Sequence, residues 1–153
     1  MAREAVLREV KLTLPMLPDM EVAASKTAAA MAESMQMTPD RIDEVRLAVI
    51  EACINAFEYS RAPDGKVYMT LEVLGRDEPE LLRISVHDNG VGFEPGSKSK
   101  PRIADKIGGR NKRGWGLSII RGLMDDVAIE SEAGAGTTVV MSKRRSARAE
   151  AET

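Results

Sequence analysis

Alternation of apolar and polar residues marks the first element: Val10, Leu12 and Leu14 against Lys11 and Thr13 predict a strand over Arg8–Leu14, stopped by Pro15. Asp19–Met37, rich in alanine and methionine with no internal proline, predicts a helix. A second helix starts at Thr38-Pro39-Asp40, which supplies a capping residue, a proline for the first turn and an acid suited to the helix dipole. Its buried face is Ile42, Val45, Val49, Ala52 and Ala56, and it ends before the turn Ala62-Pro63-Asp64-Gly65. Two alternating strands follow. The first sets Val67, Met69, Leu71 and Val73 against Lys66, Tyr68, Thr70 and Glu72; the second sets Leu82, Ile84 and Val86 against Arg83, Ser85 and His87. Joined by Gly75–Glu80, they form a hairpin with one buried face.

Asn89–Arg113 is poor in large apolar residues and rich in Gly, Lys, Ser and Arg, so it reads as a long loop of the kind that carries function or is disordered. A short helix over Trp115–Met124 and strands over Val127–Glu132 and Thr137–Ser142 complete the pattern. This order predicts an α/β (α+β) two-layer sandwich, with a mixed, mostly antiparallel sheet and helices on one face. Residues 1–143 are expected to form one domain, and 144–153 a charged tail without a pattern.

Composition then removes several functions. A formal charge of −2 supplies no global basic field for nucleic acid, and an aromatic content of 3% leaves few platforms for stacking bases. No apolar stretch approaches the roughly 18 residues that span a bilayer. Met1–Lys11 mixes charges of both signs and lacks the apolar run of a secretory signal. The single cysteine, Cys53, forms no internal disulfide and reads as a packing residue, so the expected location is cytoplasmic.

Four elements can carry chemistry. Glu51 and Asn55 are one helical turn apart, and a carboxylate and a carboxamide so placed can hold a hard cation beside a water or hydroxyl. Alone, the pair also reads as a solvated helix stripe, continued by Glu44 and Glu58. Asp88 extends the inward face of Leu82, Ile84 and Val86, so its buried carboxylate needs a partner, and Gly90 and Gly92 after it let a flat ligand approach the backbone. In Arg113-Gly114-Trp115-Gly116-Leu117 a glycine loop opens a helix, a place where free N–H groups attract phosphate. The preceding loop brings an excess of Lys and Arg to that point. Finally Gly134-Ala135-Gly136-Thr137 feeds a strand whose threonine hydroxyl can reach Asp88 or a water on the base. Each element alone is an ordinary turn or stripe.

Taken in order and spacing, the four resemble the ATP-binding module shared by gyrase, heat-shock chaperones, histidine kinases and MutL proteins, over about Arg41 to Met141. Within that superfamily, Glu51-Ala52-Cys53-Ile54-Asn55-Ala56 is similar to the first motif of bacterial anti-sigma-factor serine/threonine kinases. Tyr59 stands where many relatives have histidine, and Trp115 is bulky between the two lid glycines. The resemblance implies a Bergerat-type fold that binds Mg-ATP. Asp88 would accept from the adenine amine, Asn55 would ligate Mg²⁺, and Glu51 would act as general base. Gly90, Gly92, Arg113, Gly114, Gly116, Leu117 and Thr137 would line the nucleotide site. It further implies a STAS-type antagonist protein as phosphoryl acceptor, a sequestered sigma factor and a homodimer paired near the first strand and helix. The alternatives are a non-catalytic nucleotide-gated binding module, an ATPase, or a detached histidine-kinase catalytic module.

Overall fold

In the computed structural model of the chain, the residues described are 5–91, 112–132 and 134–146. Strand β1 (Ala5–Pro15) is longer than its alternation predicts. It lies at a sheet edge and pairs with β2 (Lys66–Gly75) from Ala5↔Gly75 to Pro15↔Lys66, with a register shift between Val6 and Arg8. Backbone pairing needs no side-chain pattern, so the exposed residues at its start, Ala5 to Glu9, join the ladder without announcing it.

Helix α1 (Met20–Ser34) is shorter than predicted. Asp19, at φ 77°, turns the chain into it, and Gln36, at φ 65°, turns the chain out. Helix α2 (Pro39–Tyr59) starts as its sequence indicates: Thr38 Oγ1 accepts from the Arg41 N–H at 3.4 Å, satisfying one of the open donors of the first turn. Strand β3 (Pro79–Asp88) completes the hairpin with β2, and helix α3 (Lys112–Leu123) leads to β4 (Asp126–Glu132) and β5 (Gly136–Arg144).

The sheet order is β1-β2-β3-β5-β4, and every described pairing is antiparallel rather than mixed. The reason lies in the crossover. After β3 the chain passes through α3 to β4, as in a unit with parallel neighbours, but β5 turns back and inserts between the two. The helices meet one sheet face through Leu71, Leu82, Ile84, Met141, Val45, Val49 and Ile120, each fully buried. Complete burial of such a side chain contributes about 1.5–3 kcal/mol, so this layer holds the helices to the sheet. Cys53 packs in the same layer, 3.9 Å from Met69 Sδ, and burial pushes its thiol up to about 12. It is a packing residue, inert as a nucleophile.

Candidate functional site

Three inner-face stripes end in a polar residue at the same end of the sheet. In β3 the sequence Ile84, Val86 leads to Asp88; in β5 Met141, Val139 leads to Thr137; in β4 Val127, Ile129 leads to Ser131. The register makes these ends neighbours, because Asp88 opposes Thr137 and Thr137 opposes Ser131. Val67 of β2 closes the row on the other side of Asp88. A polar row therefore crosses the sheet where the apolar layer stops.

Asp88 and Thr137 are each 3% exposed. The Asp88 carboxylate accepts the Gly90 N–H at 2.9 Å, which curls the chain back directly after β3. The hydroxyls of Thr137 and Ser131 are 2.8 Å apart, and Ser131 Oγ donates to the Gly136 carbonyl at 3.3 Å. From the helix layer, Asn55 faces this row. It is buried, and among the described residues its Nδ2 has no hydrogen-bond partner. An unsatisfied buried amide costs about 1–3 kcal/mol, a sacrifice that makes sense for a group held ready for a ligand.

Asn55, Asp88, Leu117 and Thr137 thus line one cleft between α2, α3 and the sheet. Its volume is about 10 Å³, close to the room a single water requires. A space of that size does not hold a base. Glu51 is half-buried one turn before Asn55 and is not among the described lining residues.

The glycines serve the protein's own packing first. Gly90 has no side chain because the Ser60 carbonyl lies against its α-carbon, and the next N–H, of Val91, donates to that carbonyl at 2.8 Å. The Val91 carbonyl in turn accepts from Gly134 at 2.7 Å, so the turns after α2, β3 and β4 are tied together beneath the cleft. Gly136 adopts φ +88° against the Asp88 carbonyl. Gly114 lies in the first turn of α3, but Gly116 falls inside that helix rather than in a loop ahead of it. A helix beginning at Lys112 leaves the Gly116 N–H facing the carbonyl one turn back, so it is not one of the free donors. Gly116 instead lets α3 come close to Asn55. Arg113 lies in the first turn of α3, with its side chain outside the described part, while Gly92 and the basic residues of 98–110 lie outside the described residues.

The sequence reading missed Ser131. Its signal was available in the alternation Val127, Ile129, Ser131, which turns the serine inward.

An open antiparallel sheet backed by helices, with a buried Asn, Asp and Thr around one cleft, has a known counterpart. Residues 14–143 match the histidine kinase-like ATPase domain, and the chain belongs to that family. Its resemblance to bacterial anti-sigma-factor kinases holds as well. It is 32% identical over 124 residues to an anti-sigma F factor of Clostridium acetobutylicum, covering 81% of this chain and 85% of that one. It is 28% identical over 140 residues to an anti-sigma F factor of Bacillus velezensis, covering 90% and 93%. Among solved structures, the RsbU and RsbW domains of Rv1364c from Mycobacterium tuberculosis share the fold, with a TM-score of 0.65 at 19% identity. That likeness covers 90% of this chain and 32% of the other.

Family membership implies that the chain binds ATP, and the residues of the cleft fit such a ligand. A buried carboxylate suits an amine on a base, and a buried carboxamide whose Nδ2 lacks a partner among the described residues suits an acceptor on a ligand, with its Oδ1 able to face a cation. Among the described residues no helix is long and apolar enough to cross a membrane.

Proposed function

We propose that the protein is a serine/threonine protein kinase of the anti-sigma-factor type, which binds Mg-ATP, phosphorylates a STAS-type antagonist and sequesters a sigma factor in the cytoplasm. The observation that carries this reading is the pair on α2: Asn55, buried in the cleft with its Nδ2 unpaired among the described residues, and Glu51, half-buried one turn earlier. A carboxylate at that point can take the proton of an incoming hydroxyl, while the carboxamide holds what lies in the cleft.

In this reading Asp88 accepts from the adenine amine and Thr137 supports it, so a base with a carbonyl at that position meets an acceptor and is rejected. Mg²⁺, held through Asn55 Oδ1, would supply neutralisation of the phosphate charge. The first turn of α3, with Arg113 and Gly114, receives the phosphates, and Gly90, Gly92, Gly116 and Leu117 shape the walls. Glu51 removes the proton of a serine or threonine hydroxyl as the new O–P bond forms, and ADP leaves with the electron pair of the broken bond. The partners rest on relatives named anti-sigma F factors. A homodimer through β1 and α1 is supported by apolar side chains exposed there, including Val6, Leu17 between the two elements, and Val22.

The test is intact-mass analysis of the chain with Mg-ATP and STAS-type proteins. One added phosphate on a single partner, lost with Glu51→Gln while nucleotide still binds, is the expected result. Unimpaired transfer by Glu51→Gln removes the assigned base. The second reading, a nucleotide-gated binding module, draws on Glu51 lying outside the described lining of the cleft. It is favoured if nucleotide and partner bind without any phosphoprotein. Steady phosphate release with no partner would instead indicate an ATPase.

A further inference from the structure

We propose that His87 and Asn89 are positioning residues of the nucleotide site: the bond between their side chains spans Asp88 on the outer sheet face and fixes where its carboxylate points on the inner one. The inference rests on the cleft being the ATP site and concerns two residues outside its described lining.

Side chains alternate along a strand, so the residues on either side of Asp88 share the face opposite to its own. There His87 Nε2 and Asn89 Oδ1 lie 2.7 Å apart, and their bond closes a ring over the Asp88 backbone. On the inner side the Asp88 carboxylate accepts the Gly90 N–H at 2.9 Å. The backbone of Asp88 is thus held by a side-chain bond outside and by a turn inside.

The sense of the outer bond is set at its far end. Asp64 is a carboxylate at neutral pH and can only accept, so the part of Asn89 that meets it at 3.2 Å is the Nδ2 amide. Asn89 therefore turns Oδ1, also only an acceptor, to the ring, and His87 Nε2 carries the proton between them. This assignment holds whether or not Nδ1 is protonated, because the Thr138 hydroxyl, 2.7 Å from Nδ1, can donate or accept.

Both ends of the bond are anchored. Thr138 stands opposite His87 in the ladder and directly follows Thr137 of the cleft. Asp64 also accepts the Tyr68 hydroxyl and the Lys66 N–H, which ties Asn89 to the start of β2. Without the bond between His87 and Asn89, the peptide units around Asp88 turn more freely. Only the fraction of chains with the carboxylate correctly aimed then binds, and the apparent affinity falls by that fraction.

The experiment measures the affinity of the full, untagged chain for Mg-ATP in a cycle of His87→Leu, Asn89→Ala and the two combined. Each single change removes one partner of the same bond and is expected to weaken binding about five- to tenfold, the size of one hydrogen bond. The combined variant is expected to bind no more weakly than the worse of the two, because one bond is not lost twice. His87→Gln, whose amide can donate from the place of Nε2, is expected to keep near-wild-type affinity. Asn89 is exposed, so Asn89→Ala carries the test if His87→Leu does not fold. Unchanged affinity in a single variant, losses that add in the double, or a glutamine variant as weak as leucine overturns the proposal. His87 is the only histidine, so its ring N–H proton is read in the magnetic resonance spectrum without ambiguity. That signal is expected in the wild type and lost in Asn89→Ala; its absence from the wild type overturns the bond itself. A chain that shows the signal yet binds no Mg-ATP overturns the ATP reading and the positioning role with it, a distinct result.

Discussion

Gly116 of α3 stands against the side-chain amide of Asn55 so closely that a methyl group on its α-carbon would lie 3.0 Å from Nδ2 and 3.3 Å from Oδ1. Contacts that tight force a neighbour to give way, and here the neighbour is the group proposed to hold the cation. Gly116→Ala should therefore separate stability from binding. Helix propensity favours alanine by about 1 kcal/mol, which offsets much of the steric cost in the empty protein. Urea unfolding is expected to change little, while the affinity for Mg-ATP falls at least tenfold, the effect of about 1.4 kcal/mol on a binding constant. Unaltered affinity would mean that Asn55 turns aside freely and is not held for a ligand.

Asn55 itself makes the complementary case. Its Nδ2 is buried without a partner among the described residues, so the folded protein carries a cost that a ligand would relieve. Asn55→Leu, with the same number of side-chain heavy atoms and a similar branch, removes the unsatisfied donor. The variant is expected to be as stable as the wild type or up to about 2 kcal/mol more stable. Its melting temperature should no longer rise with Mg-ATP, whereas the wild type gains RT ln(1 + [L]/Kd). A variant that is clearly destabilised would show that the carboxamide does structural work in the apo protein.

A polar clamp at the far end of α3 fixes that helix from below. Lys143 is buried on the inner face of β5, where its Nζ donates to the Leu123 carbonyl and meets Glu44 Oε1 at 2.7 Å. Beside it Arg41 pairs with Asp125 at 2.8 Å, and the same carboxylate oxygen accepts the Arg144 N–H. Glu44 is partly in solvent, which places the pair between a surface bridge and a buried one. Lys143→Ala is expected to cost about 2 kcal/mol in urea unfolding, and Lys143→Met less, because it keeps the packed stem. A loss below about 0.5 kcal/mol would show that the carbonyl finds another donor.

The elements with strong periodicity were legible: β2, β3 and the buried stripe of α2, whose start was announced by Thr38-Pro39-Asp40. What escaped was set by partners distant in sequence. The first residues of β1 are paired through their backbone alone, the place of β5 between β3 and β4 is a matter of topology, and Glu44, read as part of a solvated stripe, proves to pair with Lys143. In the site, Asp88, Asn55 and Thr137 were readable because each falls on an inward position or beside a glycine motif. Ser131 and Lys143 also fall on inward positions, but a polar residue at the end of a strand passes easily for its solvent-facing terminus.

On the other sheet face a hydrogen-bonded chain gives a pH signature. The Tyr68 hydroxyl donates to Asp64 at 2.7 Å, the Asn89 amide donates to the same carboxylate oxygen at 3.2 Å, and His87 bridges Asn89 and Thr138, each at 2.7 Å. Asn89 directly follows Asp88, so the chain braces the start of the site loop from outside. The Tyr68 hydroxyl, then the Asn89 amide, holds the Asp64 carboxyl below its usual range, and the bond to Asp64 holds the Tyr68 phenol above its own. The depressed acid contributes stability above the ordinary carboxylate value, about 4, and loses it as pH falls through the lowered folded value. The raised phenol contributes stability below about 10 and loses it as pH rises through the raised folded value. In a Tyr59→Phe background, the tyrosinate absorbance of Tyr68 should reach its midpoint above 10, and Asp64→Asn should bring it back towards 10. Both groups lie in solvent, so salt should shrink the shift. A midpoint insensitive to Asp64→Asn would show that the bond does not persist in solution, and the outer face would then lend the site loop no support.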